Sequence, residues 1–488
     1  CVLQLFIKYL GQGAVLSISR LSKKLSKYIF GVSVLACSVI VQAENLLDIY
    51  QLAQQRDPTY LAGIHQHSAS METRYQARAA LLPTLAVALG RTDTTQDIVS
   101  SDNEVFGQGS ASYPTDEYSV SISQSIYDYS NWAAYSAAKA RVAQADAVLI
   151  GVEQDLLLRV SVAYFIALAL NEEFSSAQAE RRSLEEHYEL LRLKRRDGLA
   201  RQTDMLDAQA RFMQSQSREV EVRASLKDSL EVLRELTGVL PRSLATLDEN
   251  TAQVMPDPVD PEAWWQLALG QNPELAARRK EVDAARDEIK RLKGGHYPTV
   301  DLDVSFNNRN TQGSLFGGGS EVQTQEINLG INIPLYAGGI VSSRVREAVE
   351  LLSKVEQDLE LELRSVQRNT YASFDGVLTD IAKSEALGKS VEAYQLGVDA
   401  KRLAYSSGVV NSLAVLDGER DLYFARSQYV GARYGYLVNV IRLKRAAGVL
   451  TEKDLQQINA MLTGGDAKLI LAPSYGSYSG SQYQSSAR

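Results

Sequence analysis

The fold of this chain is decided by residues 299–307, TVDLDVSFN. Apolar residues fill the even-numbered positions from 300 to 306, and polar residues fill the positions between them. Successive side chains of a β-strand point to opposite faces, so this pattern predicts a strand with one apolar and one polar face. Together with three other stretches of the same kind, the sequence predicts four strands: 84–95, 117–128, 299–310 and 326–336.

Long helical patterns separate these strands. They are predicted near 45–80, 131–197, 202–237, 262–293, 340–407 and 411–447. At a rise of ~1.5 Å per residue, the two longest helices should each reach roughly 100 Å. A heptad of Val345, Leu352, Leu359 and Val366 gives one of them the seam of a coiled coil. A water-soluble sheet over a core is the commonest source of alternating strands, but strands between such long helices favour a barrel with a lipid-facing outside and a polar lumen.

The chain also contains an internal repeat. Pro58 matches Pro273 at an offset of 215 residues, and Gly198 matches Gly408 at an offset of 210. Several such matches occur in the same order, which indicates duplication of one ancestral unit. We predict that the two repeats cover 44–250 and 260–450.

Four strands are too few to close a barrel, and lipid does not tolerate an open sheet edge. A dimer would supply eight strands, which side chains fill, whereas a trimer supplies twelve and leaves a lumen. The predicted fold is therefore mainly α with a β-barrel part. It is a trimeric 12-stranded transmembrane barrel, continued as a hollow tube by an α-helical coiled-coil barrel.

The flanking segments differ from this unit. Residues 1–43 read as a leader with a secretory signal, because basic residues precede an apolar run that ends at Val41-Gln42-Ala43. A first transmembrane helix is the alternative, but the apolar run is shorter than the ~20 residues that a bilayer needs. The single protomer unit then covers 44–462, with a mixed equatorial belt at 239–261 and 451–462. Residues 463–488, rich in Ser and Tyr, read as a disordered tail.

Aromatic residues cluster where strands join helices. They are Tyr127, Tyr129, Trp132, Tyr297 and Tyr336. A girdle of this kind is expected where lipid headgroups meet water. Tyrosine is also a common strand former, which is the alternative explanation.

Composition argues against several other classes of protein. The formal net charge is −8 and the pI is near 5.4, which does not fit a nucleic-acid-binding surface. The four histidines include no pair at metal-ligand spacing on one helix face, and no phosphate loop, nucleophile elbow or zinc motif occurs. We therefore expect no enzyme activity, no cofactor, no metal and no nucleic-acid partner.

Six short motifs stand out along the chain: Glu44-Asn45-Leu46, residues 124–128 (QSIYD), Tyr164-Phe165, residues 296–299 (HYPT), residues 334–339 (PLYAGG) and Val415-Leu416-Asp417. In these motifs the chain resembles the TolC family of trimeric outer-membrane efflux and secretion channels. The resemblance implies a barrel in the outer membrane of a Gram-negative bacterium and a helical tunnel in the periplasm. It also implies the function of an exit duct for tripartite efflux pumps or type I protein secretion. The implied partners are a periplasmic adaptor (membrane fusion) protein, an inner-membrane pump and outer-membrane lipid.

The resemblance assigns roles to two turns between helices. Gly198-Leu199 and Gly408-Val409 would form the grooves that receive the hairpin tip of the adaptor. Helix termination by glycine is the simpler explanation of both glycines, and the two explanations are compatible.

The resemblance also assigns an entrance latch and a constriction. Thr203, Asp204 and Tyr405 match members of the latch, although Val410 stands where an arginine is usual. Asp417 matches one of two acidic rings, while Ala414 stands where the other aspartate is usual. A weaker latch and less block by cations are the resulting hypotheses.

A soluble periplasmic coiled-coil adaptor or scaffold is the alternative function, since it would share the heptads and the signal peptide. The four alternating strands discriminate between the two, because a soluble coiled-coil protein has no use for them. The sequence identifies neither the cargo nor the pump.

Overall fold

The computed structural model describes residues 44–100, 109–248, 251–314 and 318–468. The predicted leader and residues 469–488 of the predicted tail lie outside this range. None of the helices within the described ranges is both long enough and apolar enough to cross a membrane.

The first repeat folds as two helices, a strand hairpin and two more helices. These elements are α1 Leu46–Arg56, α2 Pro58–Ala79, β1 Thr84–Ile98, β2 Gly109–Tyr127, α3 Tyr129–Arg196 and α4 Gln202–Thr237. The short strand β3, Ser243–Leu247, follows. The structure thus reproduces the predicted order, and α3 has 68 residues, long enough for a rise of roughly 100 Å.

The second repeat has the same order of elements. It consists of α5 Pro261–Gln271, α6 Pro273–Lys293, a 3-10 turn at Gly294–His296, β4 Thr299–Thr311, β5 Ser320–Asn332, α7 Ile340–Ser406 and α8 Ser412–Ala446. A short helix, α9 Glu452–Asn459, and strand β6, Leu462–Lys468, complete the described chain.

Each repeat begins with a broken helix where the sequence predicted a continuous one. The predicted helix 45–80 is interrupted at Asp57, and the predicted helix 262–293 is interrupted at Asn272. Both residues precede a proline, which disfavours the helical conformation of the residue before it. Each side chain caps the next helix: Asp57 accepts from the Tyr60 backbone N–H at 3.0 Å, as Asn272 does from that of Glu274 at 2.9 Å.

Strands β1, β2, β4 and β5 form one antiparallel sheet in that order. The predicted strand 117–128 begins earlier in the structure, at Gly109. The residues that follow Gly109 are mostly polar, so they do not show the alternation that predicts a strand. The bounds of the predicted strand 326–336 are wrong: β5 spans Ser320–Asn332. Ile333 and Leu335 continue the apolar alternation beyond the last pair, but Pro334 lies between them and has no N–H to donate to a ladder.

The helices pack in pairs around α3. Near the sheet, α3 contacts α2 through His67 and Asp146, and it contacts α6 through Ser136 and Asp287. Farther along, α3 contacts α4 and α8, and α7 packs along α8. The shorter helices therefore stack alongside the long one, as their summed lengths predicted.

The core lies near the middle of the long helices. Its largest fully buried side chains include Tyr164, Phe165 and Phe174 of α3. The Tyr164 hydroxyl donates to the backbone oxygen of Ala245 in β3 at 2.9 Å, tying the belt to the helices. In the belt, β3 pairs with β6, so residues 463–468, predicted as the start of the tail, belong to a strand. Their two glycines and polar residues show no alternation that would predict one.

Candidate functional site

The turns that join α3 to α4 and α7 to α8 have the same backbone geometry. Gly198 has φ +74° and Gly408 has φ +76°, the left-handed conformation that favours glycine. In each turn, the N–H of the residue after the glycine bonds five residues back: Leu199 to the Lys194 oxygen at 2.7 Å, and Val409 to the Ala404 oxygen at 2.9 Å. Both turns are therefore Schellman motifs, as glycine termination predicts.

The apolar residue in each turn is exposed rather than packed against its own helix. Leu199 is 78% exposed and Val409 is 77% exposed. A Cβ added to Gly198 or Gly408 would meet no atom within 4 Å, so the surface around each glycine is open. The two turns thus present an accessible backbone beside an uncovered apolar side chain.

The latch residues predicted by resemblance are not joined within one chain. The Thr203 hydroxyl lies 3.5 Å from an Asp204 carboxylate oxygen at the start of α4, where Thr203 is exposed and Asp204 is half-buried. Tyr405 instead faces α3: its ring centroid lies 5.9 Å from that of His187 and 5.2 Å from Lys194 Nζ. Within the described residues, Tyr405 makes no hydrogen bond to Thr203 or Asp204.

Asp417, predicted as an acidic ring residue, is paired. Arg211 Nη2 of α4 donates to Asp417 Oδ1 at 2.5 Å, and Arg420 Nη1 lies 3.7 Å from the same oxygen. These arginines offset the negative charge that the sequence assigned to this position. Sequence reasoning missed Arg211 because it lies 206 residues from Asp417 on a separate helix.

Behind these residues, ion pairs hold the helices together near the turns. Arg402 of α7 donates from both Nε and Nη2 to one carboxylate oxygen of Glu419 on α8, at 3.1 and 2.6 Å. The Ser183 hydroxyl of α3 lies 3.2 Å from the other oxygen of Glu419. Glu419 is only 5% exposed, so removing one partner would leave a buried charge without compensation.

Burial shifts the pKa values of Glu180 and His187, two titratable groups in this region. Burial raises the pKa of Glu180, opposed by the charge of Arg218 and reinforced by that of Glu419. Burial lowers the pKa of His187 below its ordinary value. His187 Nε2 lies 3.2 Å from the Ser412 hydroxyl at the start of α8. The neutral form of His187 is therefore favoured where α3 meets the α7–α8 turn.

The sheet separates apolar and polar rows across its four strands. Leu85 pairs with Ile122, which pairs with Val304, which in turn pairs with Ile327. The neighbouring row, on the other face, is Ala86, Ser121, Ser305 and Glu326. The apolar row is exposed at both ends, with Leu85 68% and Ile327 79% accessible to solvent. An isolated water-soluble sheet would not expose such a row on this scale.

Aromatic residues accompany the sheet at its helix end. The Tyr129 and Tyr297 rings meet edge to face with centroids 5.0 Å apart. Tyr127, Trp132 and Tyr336 are exposed by 43%, 56% and 89%. Of the five residues predicted as a girdle, Tyr129 and Tyr297 therefore pack against each other, and Tyr297 still retains 45% exposure beside its partner.

Comparison with known proteins identifies the relatives of this chain. The model of the outer membrane efflux protein family matches residues 49–239 and 264–449, which correspond closely to the two predicted repeats. The chain belongs to this outer membrane efflux protein family. The family match confirms the predicted resemblance and does not support the alternative of a soluble adaptor.

Individual relatives agree with the family. Outer membrane protein TolC of Escherichia coli strain K12 is 31% identical over 451 residues, covering 90% of each chain. The alkaline protease secretion protein AprF of Pseudomonas aeruginosa is 30% identical over 447 residues, covering 91% of this chain and 92% of AprF. Both relatives align over nearly their full length, so the resemblance is to whole proteins.

Solved structures share the fold. The outer membrane channel CmeC of Campylobacter jejuni superposes with a TM-score of 0.73 at 13% identity, covering 86% of this chain and 90% of CmeC. The efflux-family fold, with its long helices and four-stranded sheet, confirms the predicted fold class.

Among the described residues, no group of three His, Cys, Asp or Glu side chains could hold a metal ion.

Proposed function

We propose that three copies of this chain form a duct that carries substrates from the periplasm, or from a docked pump, through the outer membrane. The observation that carries the proposal is the apolar row from Leu85 to Ile327 across a four-stranded sheet. A row of this length is stable when it faces lipid, while the polar row of Ser305 faces water.

The trimer follows from the sheet edges. In one chain, β1 and β5 are the outer strands of the sheet, so each has one edge free to pair. Lipid supplies no partner for free backbone groups, so β5 of one copy pairs with β1 of the next. Three copies close twelve strands around a lumen, and the long helices continue that lumen into the periplasm.

The relatives support two kinds of cargo route. The family is named for efflux, and AprF is named for secretion of an alkaline protease. Both routes need a partner in the inner membrane, because the duct itself carries no energy source. We propose that a periplasmic adaptor docks at the two glycine turns, contacting Leu199 and Val409, and connects the duct to an inner-membrane pump.

The entrance lies at the same turns in this proposal. Three Asp417 residues form a ring there, each moderated by Arg211, and Tyr405 belongs to the contacts that keep the entrance narrow. Thr203 and Asp204 are free to meet a neighbouring chain. The aromatic girdle, which includes Trp132 and Tyr336, fixes the depth of the barrel at the lipid headgroups.

Cell fractionation and export assays test the proposal together. The protein is expected in the detergent-soluble outer-membrane fraction. Deleting its gene is expected to increase susceptibility to small toxic compounds, to abolish secretion of a protease, or both. A protein that is released with the soluble periplasmic fraction and whose loss changes neither phenotype would contradict the proposal.

A further inference from the structure

We propose that the two glycine turns bind different chemistry: the α3–α4 turn binds a partner hairpin that carries carboxylates beside its apolar tip, whereas the α7–α8 turn binds by apolar contact alone. This inference rests on the proposed docking of a periplasmic partner. It specifies the charge of the partner and the turn that recognises this charge.

The two turns share their backbone conformation and the exposure of their apolar residue, but they differ in charge. Their glycines share the left-handed conformation, and Leu199 and Val409 are equally exposed. The offset of 210 aligns residues 194–201 with 404–411. The first segment, KRRDGLAR, holds four cationic side chains and one anionic side chain, while the second, AYSSGVVN, holds no charged side chain.

Cations in the last turn of a helix have an ordinary explanation. They interact favourably with the helix dipole, and α6 and α8 also end with basic residues. In the α3–α4 turn, two of them are already engaged: Lys194 lies over the Tyr405 ring, and Arg195 donates to Gln202 at 3.1 Å. Lys194 and Arg195 therefore already have partners within the chain.

Arg201 has no such explanation. It is the N-cap of α4, a position that prefers Ser, Thr, Asp or Asn and where the helix dipole disfavours a cation. Its side chain makes no capping hydrogen bond, whereas the equivalent Asn411 accepts from the Ala414 N–H at 3.0 Å. A residue that lowers local stability on an exposed turn is expected where binding requires it.

Arg196 supplies the second available cation. Its side chain is 75% exposed, and its nearest acidic partner is the adjacent Asp197 at 3.5 Å, which is itself 57% exposed. Arg196 and Arg201 therefore lie on either side of Leu199 in sequence, and neither is held by a buried partner among the described residues. A helical hairpin with an apolar tip residue between two carboxylates complements this arrangement in shape and charge.

The consequence for the trimer is an alternation around its tip. Three basic turns would alternate with three uncharged ones, because each chain contributes one of each. An acidic hairpin would occupy three sites, and its association would weaken with salt because the arginines are exposed. An apolar hairpin without charge would discriminate little between the six sites.

Designed hairpins test this inference directly. The probes are three antiparallel helical hairpins with the same leucine at the turn, flanked by two glutamates, two glutamines or two lysines. Binding to the purified full-length trimer in nanodiscs is measured by interferometry at about 50 mM and about 300 mM salt. The glutamate hairpin is expected to bind about tenfold more tightly than the lysine hairpin at low salt, with three sites per trimer.

Two variants of the channel sharpen the test, with trimer elution as the folding control. Arg196→Gln with Arg201→Asn is expected to abolish the preference for glutamate. Ser406→Arg with Asn411→Arg transfers the cations to the other turn and is expected to raise the number of glutamate-hairpin sites from three to six.

The outcomes that overturn the inference are specific. Equal binding of the glutamate and lysine hairpins would overturn the inference, as would the absence of hairpin binding to a trimer that conducts ions. Either result would leave the proposed duct intact. Binding of anionic phospholipid vesicles that displaces the glutamate hairpin would assign the arginines to lipid instead. A trimer that conducts no ions would instead count against the proposed function.

Discussion

Arg211 on α4 donates a hydrogen bond to Asp417 on α8 across 2.5 Å, and Arg420 lies near the same carboxylate. An unpaired ring of three aspartates would concentrate negative potential at the entrance. Pairing with arginine reduces that potential without removing the carboxylate. The entrance of this protein is therefore expected to attract cations less than its sequence alone suggests.

The first prediction concerns block of the channel by a trivalent cation. Arg211→Gln removes the hydrogen-bonded partner of Asp417, although Arg420 remains near the carboxylate, and is expected to increase the affinity of the blocker by about tenfold, because a negative constriction concentrates counterions. Single-channel recording with hexamminecobalt measures the effect. Arg211→Lys keeps the charge and is the matched control. Strong block of the unmodified channel, unchanged by Arg211→Gln, would show that Asp417 is not moderated by Arg211.

A second relationship concerns His187, which faces several charges. Lys194 lies on the same helix as His187, Arg402 and Tyr405 lie on α7, and Glu419 lies on α8. The Ser412 hydroxyl, which contacts His187, also belongs to α8. Burial is the largest cause that lowers the pKa of His187, and Lys194 and Arg402 lower it further while Glu419 raises it. The start of α8 also disfavours a cation.

The second prediction follows from the sign of that shift. The folded protein binds the His187 proton less readily than the unfolded chain, whose ordinary pKa is 6.5. Stability is therefore fully present above that pKa and is lost as pH falls below it. The thermal midpoint of the trimer is expected to decrease when the pH is lowered from 7.5 to 5.5. We expect His187→Gln to make this decrease smaller. An identical pH dependence in the variant would refute a role for His187.

The third prediction compares two glycines with the same backbone conformation. Gly198 and Gly448 have φ +74° and +76°. A Cβ at position 198 meets nothing within 4 Å, whereas a Cβ at position 448 would lie 2.4 Å from the Gln271 oxygen and 2.6 Å from the Asn272 backbone nitrogen. Gly198→Ala is expected to destabilise by about 1–2 kcal/mol, and Gly448→Ala by about 3–5 kcal/mol.

Thermal unfolding of the two alanine variants measures the difference. Both substitutions impose the same left-handed strain. The additional loss of stability at position 448 therefore measures how closely this position approaches the break between α5 and α6. Equal destabilisation would mean that the helix ends at Gly448 and Asn272 do not pack as closely as the structure places them.

The fourth prediction concerns the two faces of the sheet. Ile327→Arg places a charge in the apolar row and is expected to cost about 2–4 kcal/mol near the bilayer midplane. Asn328→Arg, one residue along on the opposite face, is expected to cost much less because it faces the lumen. Folding into lipid vesicles, followed by resistance of the trimer to heat in detergent, measures both. Similar losses for the two variants would contradict the assignment of faces.

Sequence alone predicted the elements that depend on periodicity. The alternation at Val304 and the heptads of α7 identified β1, β4 and the long helices to within a few residues, whereas β5 begins six residues before its predicted start. The breaks at Asp57 and Asn272 were missed, although the following prolines gave a usable signal. Strand β6 and the extended start of β2 were missed because their polar and glycine-rich residues show no alternation, and pairing with a neighbouring strand determines their structure.

The candidate site was predictable only in part. The glycine turns were recognisable from Gly198 and Gly408, and both have the expected geometry. The pairing of Asp417 with Arg211 depends on which helices become neighbours, and local sequence carries no information on that. The unusual N-cap at Arg201 could have been read from the sequence, because a basic residue precedes a helix where a capping residue is expected.

The most direct test of the account is the electrical conductance of the purified protein in planar lipid bilayers, with the number of chains determined in the same preparation. The account predicts trimers that insert and give steady, discrete ionic currents. Monomers that insert no conducting unit would contradict it, because four strands from one chain cannot enclose a pore.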